Sequence, residues 1–302
     1  NTLAYIIPTK DRPDELRCLL ASLRTQTAMP DQIIVVDGSQ PDIKPVIKEF
    51  TDFNITYVRV FPPSLAKQRN AGIAAVESAI TLAGFLDDDL VLEPNATEKM
   101  LAFWDKTDEK TGGAGFAVVN QPIAFSSKVG RLFNIDHPKP GRILKSGFQS
   151  QIPPLSTLTE TDWIYGGATV WRRAVINQFS YDDWYMGHGY LEDVDFSYRV
   201  KQLYKLYIIG GADVYHYSKP IIITAEFMIG KQQVLNRYYF VKKIGHFSNL
   251  AFAWGLFGQL LFNLISSLRR INTAGLRRAA GNITGLMYLM INRNQQIGGF
   301  YK

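Results

Sequence analysis

Leu3–Pro8 is an apolar run closed by a proline, the pattern of a short buried strand. Asp11 stands where an N-cap would open a helix, with Pro13 in its first turn. Leu16, Leu19, Leu20 and Leu23 then recur at i, i+3, i+4 and i+7, one apolar helical face. Ile33–Val36 reads as a second buried strand closed by Asp37-Gly38-Ser39, and Thr56–Val60 as a third. Ser64–Ile80 is an Ala-rich helix, and Leu82–Leu86 a fourth strand that stops at Asp87-Asp88-Asp89. Strand–helix repetition with short connections predicts βαβ units on a mostly parallel sheet flanked by helices, with right-handed crossovers.

The pattern loosens over residues 120–162, where Pro122, Pro138, Pro140, Pro153 and Pro154 fall. This stretch reads as an excursion over the sheet, facing substrate. Order returns at Trp163–Trp171 and at a helix opening near Glu192, after a flexible Gly187-His188-Gly189. Leu206–Ile209 and Val214–Tyr217 read as late strands, and from Pro220 onward the chain reads as helices with few acids. The expected layout is a catalytic domain over 1–219, with a nucleotide-binding half to about 119 and an acceptor half over 120–219. A helical extension over 220–302 follows.

At 302 residues, 46% hydrophobic and 20% charged, the chain has the make-up of a globular protein, which excludes disorder and collagen-like repeats. A single cysteine, Cys18, excludes a disulfide framework or a Cys-rich zinc module. The opening NTLAYIIPTKDRPDE has no basic stretch leading into an apolar one, so no signal peptide is expected and a reducing cytoplasmic compartment is the default. The net charge of +6 divides unevenly. Residues 1–218 hold 22 Lys and Arg against 26 Asp and Glu, whereas 219–302 hold 11 against Glu226 alone. Such asymmetry points to a polyanionic partner for the tail, nucleic acid or an anionic membrane.

Four groups of residues could carry chemistry. Asp87, Asp88 and Asp89 follow an apolar strand, where open α/β sheets bind ligands. Adjacent carboxylates repel one another unless a cation compensates, and a hard divalent ion such as Mn²⁺ or Mg²⁺ suits oxygen donors. Alternation puts Asp87 and Asp89 on one face of extended chain. A solvated acidic loop is the plainer reading of three aspartates, and their position at a strand end favours the cation. Asp37, also at a strand end, would either accept from a nucleotide's ribose or base or close an Asx-turn. In Glu192-Asp193-Val194-Asp195 at a helix start, Asp193 and Asp195 point nearly opposite ways, so one acid can serve as a base while another suits the helix dipole. His216, alone in an apolar strand, is a core histidine unless it lies beside the aspartates. Lys67 and Arg69 add cations that suit a diphosphate, although a wet helix face explains them too. Neither a P-loop nor a strand-linked G-x-G-x-x-G is present.

Taken in order, IIPTKDRPDEL, QIIVVDGS, LAKQRNAGIAAV, FLDDDLVLEP, YGGATVWRRAV, YLEDVDFSYR and ADVYHYS resemble the family 2 glycosyltransferases of the GT-A fold, over roughly residues 3–217. The resemblance implies a GT-A-type α/β fold, a nucleotide-sugar donor, a divalent metal (Mn²⁺ or Mg²⁺) and inversion at the anomeric carbon. It places Pro8, Thr9, Arg12, Asp37, Lys67, Arg69, Asp87, Asp88, Gly166 and Gly167 around the donor. Asp89, Asp87 and His216 would hold the metal, Asp193 would be the general base, and Glu192 and Trp163 would meet the acceptor. The acceptor would be a glycan or a polyprenyl-linked glycan, in cell-surface polysaccharide synthesis.

Two other functions compete. A sugar-phosphate nucleotidylyltransferase would be expected to carry a Gly-rich basic loop after the first strand, where this chain has Thr9–Pro13 without glycine. A membrane-bound nucleotide-sugar sensor with a dead site would not need Asp87, Asp89 and Asp193 intact.

In the tail, Phe247–Leu268 are 22 residues without a charge, flanked by Lys242-Lys243 and Arg269-Arg270. The length reaches that of a membrane span, but Asn249, Gln259, Asn263, Ser266 and Ser267 make a poor one. The expectation is a helix lying in the membrane interface on the inner face of the cell membrane, with Arg277-Arg278 on anionic lipid. Packing in a homo-oligomer or a core is the second reading and a true span the third. Nucleic acid is not expected, because the basic residues flank apolar runs rather than interleaving with stacking aromatics.

Overall fold

The computed structural model describes residues 1–122, 126–185, 189–219, 222–270 and 273–291, with backbone alone for 269 and 270. In chain order the elements are β1 (Leu3–Thr9), α1 (Pro13–Arg24), β2 (Gln32–Asp37), α2 (Lys44–Ile47), β3 (Ile55–Arg59), α3 (Leu65–Ala74), β4 (Leu82–Leu86) and β5 (Leu90–Leu92). Then come α4 (Ala96–Trp104), β6 (Thr111–Val118), α5 (Lys128–Leu132), β7 (Thr159–Thr161), β8 (Ala168–Arg172), α6 (Arg173–Gln178), α7 (Glu192–Lys201) and β9 (Lys205–His216). Three long helices close the described chain: α8 (Glu226–Ile244), α9 (Asn249–Arg270) and α10 (Ala274–Ile291).

The chain divides into two compact units. A sheet unit comprises Asn1–Ile123 and Ile152–Ser218, and a helical unit comprises Ala124–Gln151 and Lys219–Lys302. In the sheet unit, nine strands form one sheet in the order β3-β2-β1-β4-β8-β6-β9-β5, with β7 also paired to β9. The first four strands, β3-β2-β1-β4, are parallel throughout, as the alternating pattern predicts. Beyond β4 the sheet is mixed. β8 runs antiparallel to β4 and β6, β9 parallel to β6, and β5 antiparallel to β9. The leucines of α1 at 16, 19, 20 and 23 are fully buried and pack with Tyr5, Ile7, Ile33 and Val35. Burying such a face is what stabilises a short amphipathic helix.

Several local expectations change. Asp11 is not an N-cap: its φ is 54°, its carboxylate accepts from Gln40 N at 3.0 Å, and Arg12 takes the capping position. The Ala-rich helix is shorter than expected, ending at Ala74. The two late strands are one, β9, interrupted where Phe116 pairs with Ile209 and Ala117 with Asp213. Gly211, at φ +90°, lies in that bulge, a conformation that side chains with a Cβ adopt at a cost.

The change of unit at Ser218 and Lys219 falls close to the expected 219, but the helical unit is not the tail alone, because it also takes residues 124–151 from the expected acceptor half. Residues 124–151 leave the sheet unit because their apolar side chains belong elsewhere. Phe148 is buried with Val234, Val241, Phe252 and Leu256, and Ile135 and Leu144 pack on that cluster. Arg237, 2% exposed, donates to Gly147 O at 2.7 Å and lies over the Phe148 ring. Gly187 and His188 lie outside the described residues.

Candidate active site

The sheet unit gathers its polar residues at the C-terminal ends of β1 and β4. Pro8, Thr9, Lys10 and Arg12 line a cleft of about 350 Å³ together with Pro63, Ser64, Leu65, Gln68, the three aspartates and His216. The aspartates lie between β4 and β5, where Asp88 and Asp89 form a turn and Leu90 N donates to Asp87 O at 3.2 Å. Asp88 turns toward β1, accepting from Thr9 Oγ1 at 2.7 Å and Arg12 Nη1 at 3.0 Å. Burial pushes Asp88 up to about 6, against the pull of Thr9 and Arg12. Asp89 also accepts from Arg12 Nη1, at 2.9 Å, and the Asp87 and Asp89 carboxylates and the His216 ring bring ligand atoms within 4.8 Å of one another. The extended-chain alternation expected from the sequence is replaced by a turn, which nevertheless brings Asp87 and Asp89 together, with His216 beside them.

Two features fix His216 there. Leu90 pairs with His216 across β5 and β9, and Tyr217 N donates to Asp89 O at 2.9 Å. Asn120 brackets the same residue, donating to His216 O at 3.0 Å and accepting from His216 N at 2.9 Å. His216 Nε2 lies 2.9 Å from Asp89 Oδ1. That contact raises the imidazole above its ordinary value, burial opposing it. For Asp89, burial pushes up, but His216 and Arg12 together hold the carboxyl below the usual range.

The cluster fits a divalent cation. Two carboxylates and one imidazole are hard or borderline donors that suit Mn²⁺ or Mg²⁺. Asp89 Oδ1 is buried and faces His216 Nε2 at 2.9 Å, so that a cation at the cluster would meet both as donors.

Beneath the cleft lies Arg69, 1% exposed. Its Nη1 donates to Glu192 Oε1 at 2.6 Å and its Nη2 to Asp87 Oδ1 at 3.3 Å, while the guanidinium lies over the Tyr181 ring at 5.0 Å. The two glycines that follow β7 close this layer. A Cβ on Gly167 would sit 1.9 Å from the Asp87 carboxyl carbon, and one on Gly166 would sit 2.6 Å from Arg69 Nη1 and 2.9 Å from Asp193 Cβ. Backbone without side chains is what lets Asp87, Arg69 and Asp193 approach one another.

The three acids opening α7 separate by environment. Glu192 is buried against Arg69, and burial together with the Asp193 charge pushes it up to about 8. Asp195 is fully buried and accepts from Arg199 Nε at 2.9 Å. Asp193 alone stays partly exposed, accepting from Val194 N at 2.8 Å and Gly166 N at 3.4 Å. Burial raises its pKa above the ordinary aspartate value, against the pull of Arg69. A partly exposed carboxylate with a raised pKa is the one of the three suited to take a proton.

Five sequence expectations fail here. Asp37 is fully buried and spent inside the fold, accepting from Ser39 N, Ile43 N, Tyr57 Oη and Arg59 Nη1, so the Asx-turn reading holds and no oxygen lines the cleft. Lys67 is exposed and outside the cleft lining, because the turn of α3 that points Gln68 and Arg69 inward points Lys67 out. Glu192 is buried as the counter-charge of Arg69, and Trp163 is 3% exposed with its ring edge-on to Tyr165 at 5.0 Å, so neither offers an acceptor contact. Arg69 itself is a support under the site rather than an open diphosphate ligand. The sequence reading missed Gln68, which donates to Thr9 O and Val36 O and ties α3 to β1 and β2, and missed the Asn120 bracket. Helical spacing beside Arg69 was the one available signal for Gln68.

Residues 5–159 match the model of glycosyl transferase family 2. A curated relative described as an uncharacterized glycosyltransferase, from Haemophilus influenzae, is 29% identical over 132 residues, which is 40% of this chain and 44% of the relative. The chain thus spans less than half the length of that relative. Among solved structures, the mannosyltransferase PcManGT from Pyrobaculum calidifontis, in complex with GDP-Man and Mn²⁺, aligns with a TM-score of 0.59 at 12% identity, over 94% of this chain and 86% of its own. S. aureus TarS aligns with a TM-score of 0.51 at 13% identity, over 93% of this chain and 55% of its own. At these identities the two structures speak to the fold, which is GT-A-like. With a family match over more than half its length and an aspartate–histidine cluster where such folds keep their chemistry, the chain belongs to glycosyl transferase family 2.

Proposed function

We propose that this chain is an inverting, metal-dependent glycosyltransferase that moves a hexose-type sugar from a nucleotide-sugar donor to a glycan or lipid-linked glycan in cell-surface polysaccharide synthesis. The observation that carries the reading is the junction of two parts, the Asp87–Asp89–His216 cluster and a partly exposed Asp193, around Gly166-Gly167. A nucleotide-sugar complex with Mn²⁺ in PcManGT is consistent with it.

In this reading the cleft takes the nucleotide diphosphate of the donor. Asp87, Asp89 and His216 would hold Mn²⁺ or Mg²⁺, which when bound neutralises charge on the leaving diphosphate. Arg12 holds Asp88 and Asp89 in place and adds a cation at the rim. An acceptor hydroxyl is a weak nucleophile at neutral pH, and Asp193 removes its proton as its oxygen attacks the anomeric carbon. The bond from that carbon to the diphosphate breaks on the opposite face, so configuration inverts. Glu192 and Asp195 take no part in this proton transfer, being committed to Arg69 and Arg199.

The experiment is a thermal-shift screen of the full chain against a panel of nucleotide sugars with and without Mn²⁺, followed by NMR of the product's anomeric configuration. A ligand present at 100 times its Kd stabilises by about 2.7 kcal/mol. A nucleotide sugar that stabilises only with metal, and an inverted product, are expected. A retained configuration, or equal stabilisation with chelator present, overturns the reading.

A further inference from the structure

One helix of the helical unit presents an apolar face that the described residues leave largely exposed. Leu250, Trp254, Phe257, Leu261, Ile265 and Leu268 of α9 fall within a narrow arc at 100° per residue. Five of the six are 43% exposed or more, up to 82% at Leu250. The patch continues onto α5, whose Val129 and Leu132 are also exposed. Phe133 joins the two, with its ring 4.9 Å from Trp254, and Trp254 Nε1 donates to Leu132 O.

The other side of α9 is committed. Phe252 and Leu256 are buried with Phe148, and a Cβ on Gly255 or Gly258 would meet Phe148 at 2.8 Å or Phe133 at 2.4 Å. Asn263 donates to Asn282 Oδ1 at 2.7 Å. A helix packed into its own unit on one side and left apolar and exposed on the other is built to lie on a surface rather than to cross a bilayer.

Charge says which surface. Counted over the whole unit, sixteen Lys and Arg stand against two acids, Asp136 and Glu226. Both acids are used internally. Asp136 accepts from Ser127 N and His137 N, and Glu226 pairs with Arg278. No carboxylate of the unit is left to repel an anionic surface. A second copy of this unit would instead bring one strongly basic unit against another across a symmetric contact. A nucleic acid would find an apolar stripe where its phosphates need donors.

We propose that the helical unit docks on an anionic lipid bilayer through the α5–α9 patch, lying in the headgroup region of one leaflet without spanning it. The cytoplasmic leaflet of a cell membrane carries such lipids, and each Lys or Arg near it strengthens binding about fivefold. Of the expected arginine contacts, Arg277 is exposed, whereas Arg278 is held by Glu226 within the unit.

The test is flotation of the full chain with phosphatidylcholine vesicles and with vesicles holding one-third phosphatidylglycerol, at 0.1 M and 1 M NaCl. Binding to the anionic vesicles alone is expected, weakened at least tenfold as the Debye length falls from about 10 Å to 3 Å. Leu250→Glu/Leu268→Glu should weaken it at least tenfold while leaving the thermal melt and nucleotide-sugar stabilisation unchanged. Because the readout is lipid binding, it succeeds or fails independently of the transferase reading. Salt-insensitive binding to both vesicles that survives alkaline carbonate overturns the proposal in favour of a span. A dimer in sedimentation that Leu250→Glu/Leu268→Glu dissociates, without vesicle binding, overturns it in favour of a second copy. Absence of binding by the folded full chain overturns it outright.

Discussion

The sheet unit holds 17 Lys and Arg against 25 Asp and Glu, and the helical unit 16 against 2. Part of the first unit's acidity is the carboxylate cluster of its site, to which Arg12 and Arg69 are paired. The second is basic with no such site among its described residues. Their apolar surfaces differ as well. Exposed large apolar residues of the sheet unit, such as Met29, Phe61, Leu158 and Leu203, lie far apart in sequence, while those of the helical unit line up along helices. Isolated apolar residues on a surface are ordinary; contiguous ones mark contact with something else. In the proposed reading, one unit is shaped by chemistry on a small ligand and the other by adhesion.

That division predicts that substitutions in one unit leave the other's property intact. The largest effect belongs to Asp193→Asn, which keeps shape but cannot take a proton. Transfer should fall about 10²–10⁴-fold, with donor stabilisation and vesicle flotation unchanged. Normal transfer by this variant, with Glu192→Gln inactive, would move the base to the neighbouring acid.

Arg69→Met should come next. Removing it leaves Glu192 buried without its cation and Asp87 without its brace. Mn²⁺ affinity, read by isothermal titration, should weaken about 10–100-fold, as for other groups that hold metal ligands in place. Arg69→Lys should recover part of it, and an unchanged Mn²⁺ affinity in Arg69→Met would deny the brace.

Two adjacent arginines sharpen the contrast inside the helical unit. Arg278→Ala strands a buried Glu226 and should cost on the order of 1–3 kcal/mol in urea unfolding. Arg277→Ala should cost less than about 0.5 kcal/mol yet weaken binding to anionic vesicles. Equal effects of the two on stability would erase the distinction.

The smallest effect concerns pH. Asp37 is held below the usual carboxylate range because its hydrogen bonds, from Ser39, Tyr57 and Ile43, outweigh burial. Its contribution is therefore present above the unfolded aspartate value near 3.9 and is lost as pH falls through the lower folded value. Asp37→Asn should flatten the acid limb of the stability profile in that range, and an unaltered limb would show the pairing to be neutral.

The parallel half of the sheet was readable because apolar runs and helical spacing are local. Asp87, Asp89 and His216 were readable for a related reason, since strand ends in such folds converge. What failed were roles that depend on neighbours distant in sequence. Whether Glu192 faces acceptor or core is decided by Arg69, 123 residues away. Whether Asp37 faces a nucleotide is decided by Tyr57 and Arg59. Asn120 and Gln68 were missed because a structural amide leaves no periodic trace. The attachment of 124–151 to the tail was hidden because its few apolar residues sit among prolines and glycines, and Val234, Phe252 and Leu256 give them meaning.

That discontinuous pairing sets an order of events on the ribosome. Residues 124–151 emerge before β7, β8 and β9, yet their partners begin only at α8. Roughly 75 residues must be made in the interval, which at about 5–20 residues per second is some 4–15 s. During that time Phe148 and Leu144 lack the partners of their cluster, while the remaining strands of the sheet unit are made. The newborn chain therefore carries a sticky loop through its own synthesis, and a shortened version ending near residue 219 would carry it for good.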